Sequence, residues 1–128
     1  MMKLLTQAQF AQLLDNGRRQ AAVKGTPDEL DPRPVVKLFN PCGAGTWLLT
    51  EIEPDDPDIA WGLCDLGMDC AEFGTVSLSE LAAYRGPFGI GIERDLHFVA
   101  RGPISAYIAA AFKAGRIVES IDGEGGAP

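Results

Sequence analysis

The stretch EFGTVSLSELAAYRGPFGIGIERDLHF, residues 72–98, holds the densest set of local folding signals in the chain. Ser77 and Glu80 have the spacing of a capping box, in which the side chain of each residue bonds the backbone N–H of the other. Arg85-Gly86-Pro87 then supplies a glycine suited to a left-handed helix end and a proline that cannot continue a helix. The stretch therefore predicts a strand, a short helix near residues 79–84, a loop and another strand.

The end of this stretch alternates between apolar and charged residues over positions 92–98. A period of two is typical of a strand with one buried face. The alternation predicts that Leu96 is buried. It places Glu93, Asp95 and His97 together on the other face of that strand.

The chain begins with a second capping box, formed by Thr6 and Gln9. An apolar stripe follows and stops before Gly17, so we expect a helix near residues 6–16 that lies on the core by one face. Residues 18–34 are polar and contain four breakers, Gly25, Pro27, Pro32 and Pro34, which predict a long surface loop. Loops of this length are often functional.

The middle of the chain reads as a series of short strands. Strands are predicted at residues 34–39, 46–53, 59–66 and 73–76, and a closing helix with a period of 3.6 at residues 103–114. Short connections favour an antiparallel meander. The predicted fold is a single α+β domain over residues 1–121, a mainly antiparallel sheet of four to five strands packed by N-terminal and C-terminal helices plus a short central helix, with a disordered tail at 122–128.

Net charge and hydropathy narrow the class of partner. The 128 residues carry 11 Lys and Arg against 18 Asp and Glu, a formal charge of −7. This charge repels phosphate backbones, so it disfavours nucleic acid as a partner without excluding it, and a protein partner stays open. No apolar run reaches the length of a membrane span, and residues 1–5 lack the apolar core of a signal peptide. We therefore expect a cytoplasmic protein that has no membrane partner.

The three cysteines, Cys42, Cys64 and Cys70, form no CxxC pair, so neither a disulfide framework nor a zinc ribbon is predicted. Buried, unreactive thiols are the favoured interpretation. A nucleophilic cysteine activated by His97, the one histidine of the chain, is the alternative.

Two segments, SLSEL at residues 77–81 and RGPFGIGIERDLHF at residues 85–98, carry a resemblance to a known family. Together with the order of elements, they resemble a family of small bacterial proteins of unknown function that recur on conjugative plasmids and integrative elements. The resemblance spans most of residues 3–112. It implies a single α+β domain in a DNA-mobilising context, and some relatives carry a single-stranded DNA endonuclease label.

Two groups of acidic residues are the candidates for catalysis. Glu93, Asp95 and His97 share one strand face, and Glu51 lies on the face of Trp47 if its own strand is regular. Oxygen and nitrogen ligands of this kind suit Mg²⁺ or Mn²⁺, and two-metal phosphodiester chemistry would follow if the two groups met across the sheet. Solvated strand faces are the favoured interpretation, without a metal or another cofactor.

Arg85 and Arg94 are the candidate binding residues, together with Trp47. Either arginine could bind an anion, although pairing with an acidic neighbour such as Asp95 is the favoured use. Two functions therefore stay open. The first is a non-enzymatic accessory or interaction protein, which an exposed apolar surface around Phe88 and Ile90 would support. The second is a metal-dependent, single-stranded DNA endonuclease that uses the clustered carboxylates.

Overall fold

The structure, a computed structural model, describes residues 4–121. The predicted tail at 122–128 lies outside the described residues. Three helices are described, α1 (Gln7–Val23), α2 (Leu78–Ala83) and α3 (Ile104–Ala114), with a short 3-10 turn at Pro87–Gly89. The described strands are β1 (Val36–Phe39), β2 (Thr46–Ile52), β3 (Ile59–Asp65), β4 (Glu72–Ser77) and β5 (Glu93–Arg94).

The strands form one five-stranded sheet in the order β4-β3-β2-β1-β5. Every pairing is antiparallel, and β1 to β4 follow one another as a meander. This arrangement confirms the predicted α+β fold with helices at both ends of the chain and a short central helix. Among residues 4–121, no helix combines the length and the apolar character that crossing a membrane requires.

The two faces of the sheet are covered by different helices, because β2 points alternate residues to opposite sides. On one face, Trp47 and Leu49 of β2 belong to a cluster with Leu13 of α1 and Leu78 of α2. On the other face, Leu48 belongs to a cluster with residues of α3. The α3 members of that cluster are Ile104, Tyr107 and Ala111. The sheet therefore lies between two helical layers.

Helix α1 begins as the sequence predicts and ends later. The backbone N–H of Thr6 donates to the Gln9 side chain at 3.0 Å, and the N–H of Gln9 donates to the Thr6 hydroxyl at 3.0 Å, which confirms the capping box. The predicted end before Gly17 is wrong, because the helix continues to Val23. Gly17 is buried inside the helix, and a Cβ there would lie 1.8 Å from the carbonyl oxygen of Ile52. Because Gly17 has no side chain, α1 can pack closely on β2.

Strand β2 contains an irregularity that changes which face its last residues occupy. Leu49 pairs with Gly62, while Glu51 pairs with Trp61, so the register shifts between Leu49 and Glu51. Gly62 and Trp61 are consecutive and point to opposite faces, and their partners must do so as well. The expectation that Glu51 shares the face of Trp47 is therefore wrong, because a bulge intervenes.

Helix α2 has the predicted cap only in part. The hydroxyl of Ser77 accepts from the backbone N–H of Glu80 at 3.2 Å and donates to the Asp58 carboxylate at 2.6 Å, but the reciprocal bond of a capping box, from the backbone N–H of Ser77 to the Glu80 side chain, is not among the described bonds. Asp58 also accepts from the backbone N–H of Ser79 at 2.8 Å. These bonds hold the pKa of the Asp58 carboxyl below its usual value. The turn between β2 and β3 thus fixes the start of α2.

The region after α2 departs most from the prediction. Gly86 has a φ of −98°, and the left-handed positions are Phe88, at 61°, and Gly89, at 73°. The strand predicted for residues 92–98 is reduced to Glu93–Arg94, and Leu96 is 75% exposed. The alternation in sequence is real, but only two of its residues pair with β1.

Candidate functional site

A groove of about 500 Å³ lies between α1, the segment at residues 30–35 and the end of β2. We call it the α1 groove. Its volume is within the range of about 300–1,000 Å³ that is typical of ligand pockets. Its lining residues are Gln12, Asn16, Arg19, Gln20, Leu30, Asp31, Pro32, Arg33, Pro34, Val35 and Glu51.

Asn16 organises the α1 side of the groove. This residue is 7% exposed, and its amide nitrogen donates to the carbonyl oxygen of Thr50 at 2.9 Å. Its amide oxygen accepts from Gln12 Nε2 and from Arg19 Nη2, both at 2.8 Å. One buried amide therefore attaches α1 to β2 and orients two polar side chains at the groove wall.

The opposite wall, residues 30–35, is attached to two helices. The Gln20 side chain donates to the carbonyl oxygen of Leu30 at 3.1 Å and accepts from the N–H of Leu30 at 2.8 Å. Asp31 accepts from the backbone N–H of Ser105 at 3.0 Å and from its hydroxyl at 2.5 Å, which satisfies donors at the start of α3. The predicted long loop is consequently shorter and held in place, and the groove is preformed.

Glu51 is the ionisable group on the floor of the groove. The bulge in β2 turns its side chain away from the Trp47 face, and the residue is only 6% exposed. Burial raises the pKa of the Glu51 carboxyl, while the Lys24 ammonium group opposes that rise; Glu53 adds to the rise, and a hydrogen bond from Gln20 counteracts it. The groove therefore contains a carboxyl that is poorly hydrated and only partly compensated by a cation.

The two predicted groups of acids do not meet. Strand β1 lies between β2 and β5, so Glu51 is separated from Glu93 by two strand spacings, about 10 Å, before any offset along the strands is added. Over residues 4–121, no group of three or more His, Cys, Asp or Glu side chains is placed to hold a metal ion. Among the described residues, Glu51 therefore does not join Glu93, Asp95 and His97 in one metal site, which was the condition for two-metal chemistry.

Asp95 has a different partner from the arginines considered in the sequence. Its carboxylate lies 3.6 Å from Lys37 Nζ, and its backbone N–H donates to the Lys37 carbonyl oxygen at 2.9 Å. Lys37 also pairs with Glu119. The N–H of His97 donates to the Asp95 carboxylate at 2.8 Å, and the His97 side chain is exposed. Asp95 thus orders the chain after β5.

The three residues predicted to bind a ligand contribute to the fold and lie outside the α1 groove. Arg85 donates to the carbonyl oxygens of Ala82 and Tyr84, at 2.9 and 2.7 Å, so it satisfies acceptors at the end of α2. Arg94 is half-buried in β5, opposite Leu38 of β1. Trp47 is 7% exposed and belongs to the core. None of the three lines the α1 groove.

The cysteines are distributed differently from the buried set that the sequence favours. Cys42 and Cys70 are exposed, so that expectation is wrong for two of the three. Cys64 is half-buried, and burial raises the pKa of its thiol to about 11. A thiol with this pKa is protonated at neutral pH and is a poor nucleophile.

Phe88 is the most exposed large apolar side chain of the described residues, at 97%, and has a left-handed backbone conformation. Such a conformation is uncommon for a bulky residue. Ile90, which would have to share an exposed surface with Phe88 to support the interaction-protein hypothesis at this loop, is half-buried. The exposed apolar feature here is therefore one ring on a loop.

The groove residues that the sequence patterns did not indicate are its side-chain amides. Gln12, Asn16 and Gln20 recur every four positions, which places them on one side of a helix. A helix that ends before Gly17 leaves Gln20 in the predicted loop, so the three amides do not appear as one set. Extending the helix by two turns would have revealed this amide stripe.

Fold and groove together define the chain as a small α+β protein in which a groove of mixed apolar and polar lining lies between the first helix, residues 30–35 and the end of a bulged strand. The sequence model of the family described as "Protein of unknown function (DUF2958)" matches residues 4–118. The chain belongs to that family. No curated protein and no solved structure matches the chain.

Proposed function

We propose that this protein is a non-enzymatic interaction protein and that the α1 groove binds a segment of a partner protein. The observation that carries the proposal is the groove itself, a preformed concavity of about 500 Å³ to which α1, residues 30–35 and β2 all contribute. Preformed binding sites reduce the entropic cost of association.

The chemistry of the groove favours recognition over reaction. Its apolar wall is formed by Leu30, Pro32, Pro34 and Val35. Its polar groups are mainly side-chain amides and two arginines, Arg19 and Arg33, which bind well and are weak acids and bases. Arg33 is exposed, and its one hydrogen bond among the described residues is from Nη1 to the carbonyl oxygen of Ala100, at 3.2 Å. Its other N–H groups are available for a partner's acceptors.

The setting we propose is the cytoplasm of a bacterium that carries a mobile genetic element. The resemblance of the segments at residues 77–81 and 85–98 to a family that recurs on such elements supports this context. The three cysteines, all within the described residues, are free thiols, as is usual in a reducing compartment. Nothing in the arrangement of Glu51, Glu93 and Asp95 supports the endonuclease alternative.

A site-specific photo-crosslinker tests the proposal. Benzoylphenylalanine is placed at Leu30, which lines the groove and is 38% exposed, and separately at Phe112, which is 90% exposed on α3. In cells that express the gene natively, we expect a discrete crosslinked partner from position 30 and none from position 112. Introducing Arg33→Gln beside the position 30 probe should reduce the crosslink about tenfold, because arginines at interfaces are frequent hot spots.

Two results would overturn the proposal. The first is equal crosslinking from both positions, which indicates contact without a site. The second is cleavage of single-stranded DNA in Mg²⁺ or Mn²⁺ that is lost in both Glu51→Gln and Asp95→Asn, since those carboxylates would then be catalytic.

A further inference from the structure

An aromatic pair lies beside the α1 groove, on the same face of the sheet as Glu51. Trp61 of β3 is the register partner of Glu51, and its ring stacks on Phe73 of β4 with centroids 5.9 Å apart and an interplanar angle of 22°. β4 is one of the two edge strands of the described sheet, and Phe73 is 41% exposed. The half-buried Trp61 and the exposed Phe73 therefore form an aromatic surface that is partly open to solvent, which we call the Trp61 face.

A cation from the same chain already occupies this surface. Lys24 Nζ lies 4.2 Å from the centroid of the Trp61 ring, which is the geometry of a cation–π contact. Among the described residues, Lys24 takes part in no ion pair. Its ammonium group thus contacts the ring and interacts electrostatically with Glu51, and the residue itself is exposed at the end of α1.

Two carboxylates, those of Glu53 and Glu51, lie next to the Trp61 face. The indole N–H of Trp61 donates to Glu53 Oε2 at 3.3 Å, which fixes one carboxylate at the ring edge. Glu51 is close enough for the Lys24 charge to act on it, and Glu53 and Glu29 act on Glu51 as well. An aromatic ring with two carboxylates next to it is complementary to an organic cation, and the net charge of −7 adds a favourable long-range field.

We propose that the Trp61 face binds the guanidinium group of an arginine in a partner protein and that Lys24 is the intramolecular occupant which this arginine displaces. The inference rests on the proposed function, because the arginine belongs to the segment that binds the α1 groove. Groove and face meet at the cross-strand pair Glu51 and Trp61, so one extended segment can contact both.

Guanidinium fits this site better than the ammonium group that is present. A planar guanidinium stacks on an indole ring while its N–H groups form two parallel bonds to a carboxylate, and it is more weakly hydrated than ammonium. The existing contact is also easily lost. Lys24 directly follows the last residue of α1, and Gly25 beside it has a φ of +80° with open space around it, so a partner can displace the Lys24 side chain without disturbing the core.

The test uses the full chain and short peptides. The probe is an acetylated Gly-Arg-Gly-Arg-Gly amide, with matched peptides in which lysine or uncharged citrulline replaces arginine. Binding is followed in ¹H–¹⁵N correlation spectra through the indole N–H signals. The chain has 2 tryptophans, and Trp47 is buried in the core, so its signal is an internal control.

We expect the arginine peptide to shift the Trp61 signal and leave the Trp47 signal in place, the lysine peptide to bind more weakly, and the citrulline peptide not to bind. Lys24→Met should strengthen arginine-peptide binding about fivefold, because it removes an occupant held by an exposed cation–π contact. Lys113→Met is the matched control: it removes an equal charge from an exposed position in the last turn of α3 and should leave the affinity unchanged.

Glu53→Gln should weaken binding by about tenfold while the dispersion of the spectrum shows that the fold is kept. Unchanged Trp61 shifts with the arginine peptide, or equal affinities for Lys24→Met and Lys113→Met, would overturn the inference. Crosslinking from position 30 without peptide binding at Trp61 would refute this inference alone. Peptide binding without such crosslinking would refute the proposed function instead.

Discussion

The side-chain nitrogen of Asn16 lies 2.9 Å from the carbonyl oxygen of Thr50, and this bond attaches the middle of α1 to the bulge of β2. Thr50 has no partner residue in the registers of β2 with β1 or β3. Its carbonyl group therefore depends on the helix for a donor. The same bulge directs Glu51 into the α1 groove. The bond between Asn16 and Thr50 therefore attaches α1 to the sheet at the bulge that positions Glu51.

Asn16→Ala is expected to lower the free energy of unfolding by about 1–3 kcal/mol, because it leaves the buried carbonyl oxygen of Thr50 without its donor. Urea denaturation measures the change. Gln12→Ala removes an exposed amide one turn earlier and is the matched control, with an expected change within about 0.5 kcal/mol. Equal effects of the two substitutions would contradict the role given to Asn16.

Gly17→Ala separates helix propensity from packing. Propensity alone predicts a gain of about 1 kcal/mol for alanine inside a helix. The new Cβ would lie 1.8 Å from the carbonyl oxygen of Ile52, so we expect a net loss of about 1–3 kcal/mol as α1 moves off the sheet. Gly74→Ala is the control, since its Cβ would meet nothing within 4 Å. A stabilising Gly17→Ala would show that α1 tolerates the displacement.

Local signals predicted the parts of the fold that local chemistry determines. The cap at Thr6 and the end of α3 at Gly115, which has a φ of 81°, needed only neighbouring residues and were predicted correctly. Gly17 has the local signature of a helix end, but its role is a close contact with Ile52, which is far away in sequence. The bulge near Thr50 was invisible for the same reason, and with it the true direction of Glu51.

The candidate site shows the same division. Glu93, Asp95 and His97 have a clear period of two, but β5 ends at Arg94. The carboxylate of Asp95, just after the strand, pairs with Lys37. Period alone therefore predicted side-chain directions that the tertiary contact overrides. By contrast, Gln12, Asn16 and Gln20 were detectable as a helical stripe once the helix is extended beyond residue 16.

Leu96→Ala is expected to change the free energy of unfolding by no more than about 0.5 kcal/mol, because Leu96 is 75% exposed. Leu38→Ala, at a fully buried position of β1, should cost about 2–5 kcal/mol. Guanidinium denaturation of the two variants measures both changes. A large loss for Leu96→Ala would restore the longer strand that the alternation predicts.

Asp95→Asn should cost about 0.2–1 kcal/mol, as is usual for an ion pair near the surface. The side chains of Lys37 and Asp95 are 19% and 24% exposed, and Lys37 keeps Glu119 as a partner. A loss of several kcal/mol in the free energy of unfolding would be expected if Asp95 paired with a buried arginine. Its partner is the partly exposed Lys37, so we expect the smaller loss. Thermal denaturation with and without Mn²⁺ measures the change, and a Mn²⁺-dependent stabilisation that Asp95→Asn abolishes would contradict the pairing with Lys37.

Glu51→Gln should remove a pH dependence of stability. Burial raises the pKa of the Glu51 carboxyl above its ordinary 4.5, so between that value and the folded-state pKa the native protein binds more protons than the unfolded chain. Stability of the wild type therefore falls as the pH rises through this window. Glutamine does not titrate. The free energy of unfolding of Glu51→Gln should therefore rise relative to that of the wild type as the pH increases through the window. Above the window, this difference in free energy should stay constant.

Denaturant unfolding from pH 4 to pH 8 measures this difference, with Glu72→Gln as a control that removes the same charge from an exposed position on β4. Lys24→Met should widen the window, because it removes the cation that opposes the rise in the Glu51 pKa. A difference between wild type and Glu51→Gln that stays constant over this range would contradict the burial of an ionisable carboxyl. The α1 groove would then have a hydrated floor, and the electrostatic coupling between Glu51 and the Trp61 face would be lost.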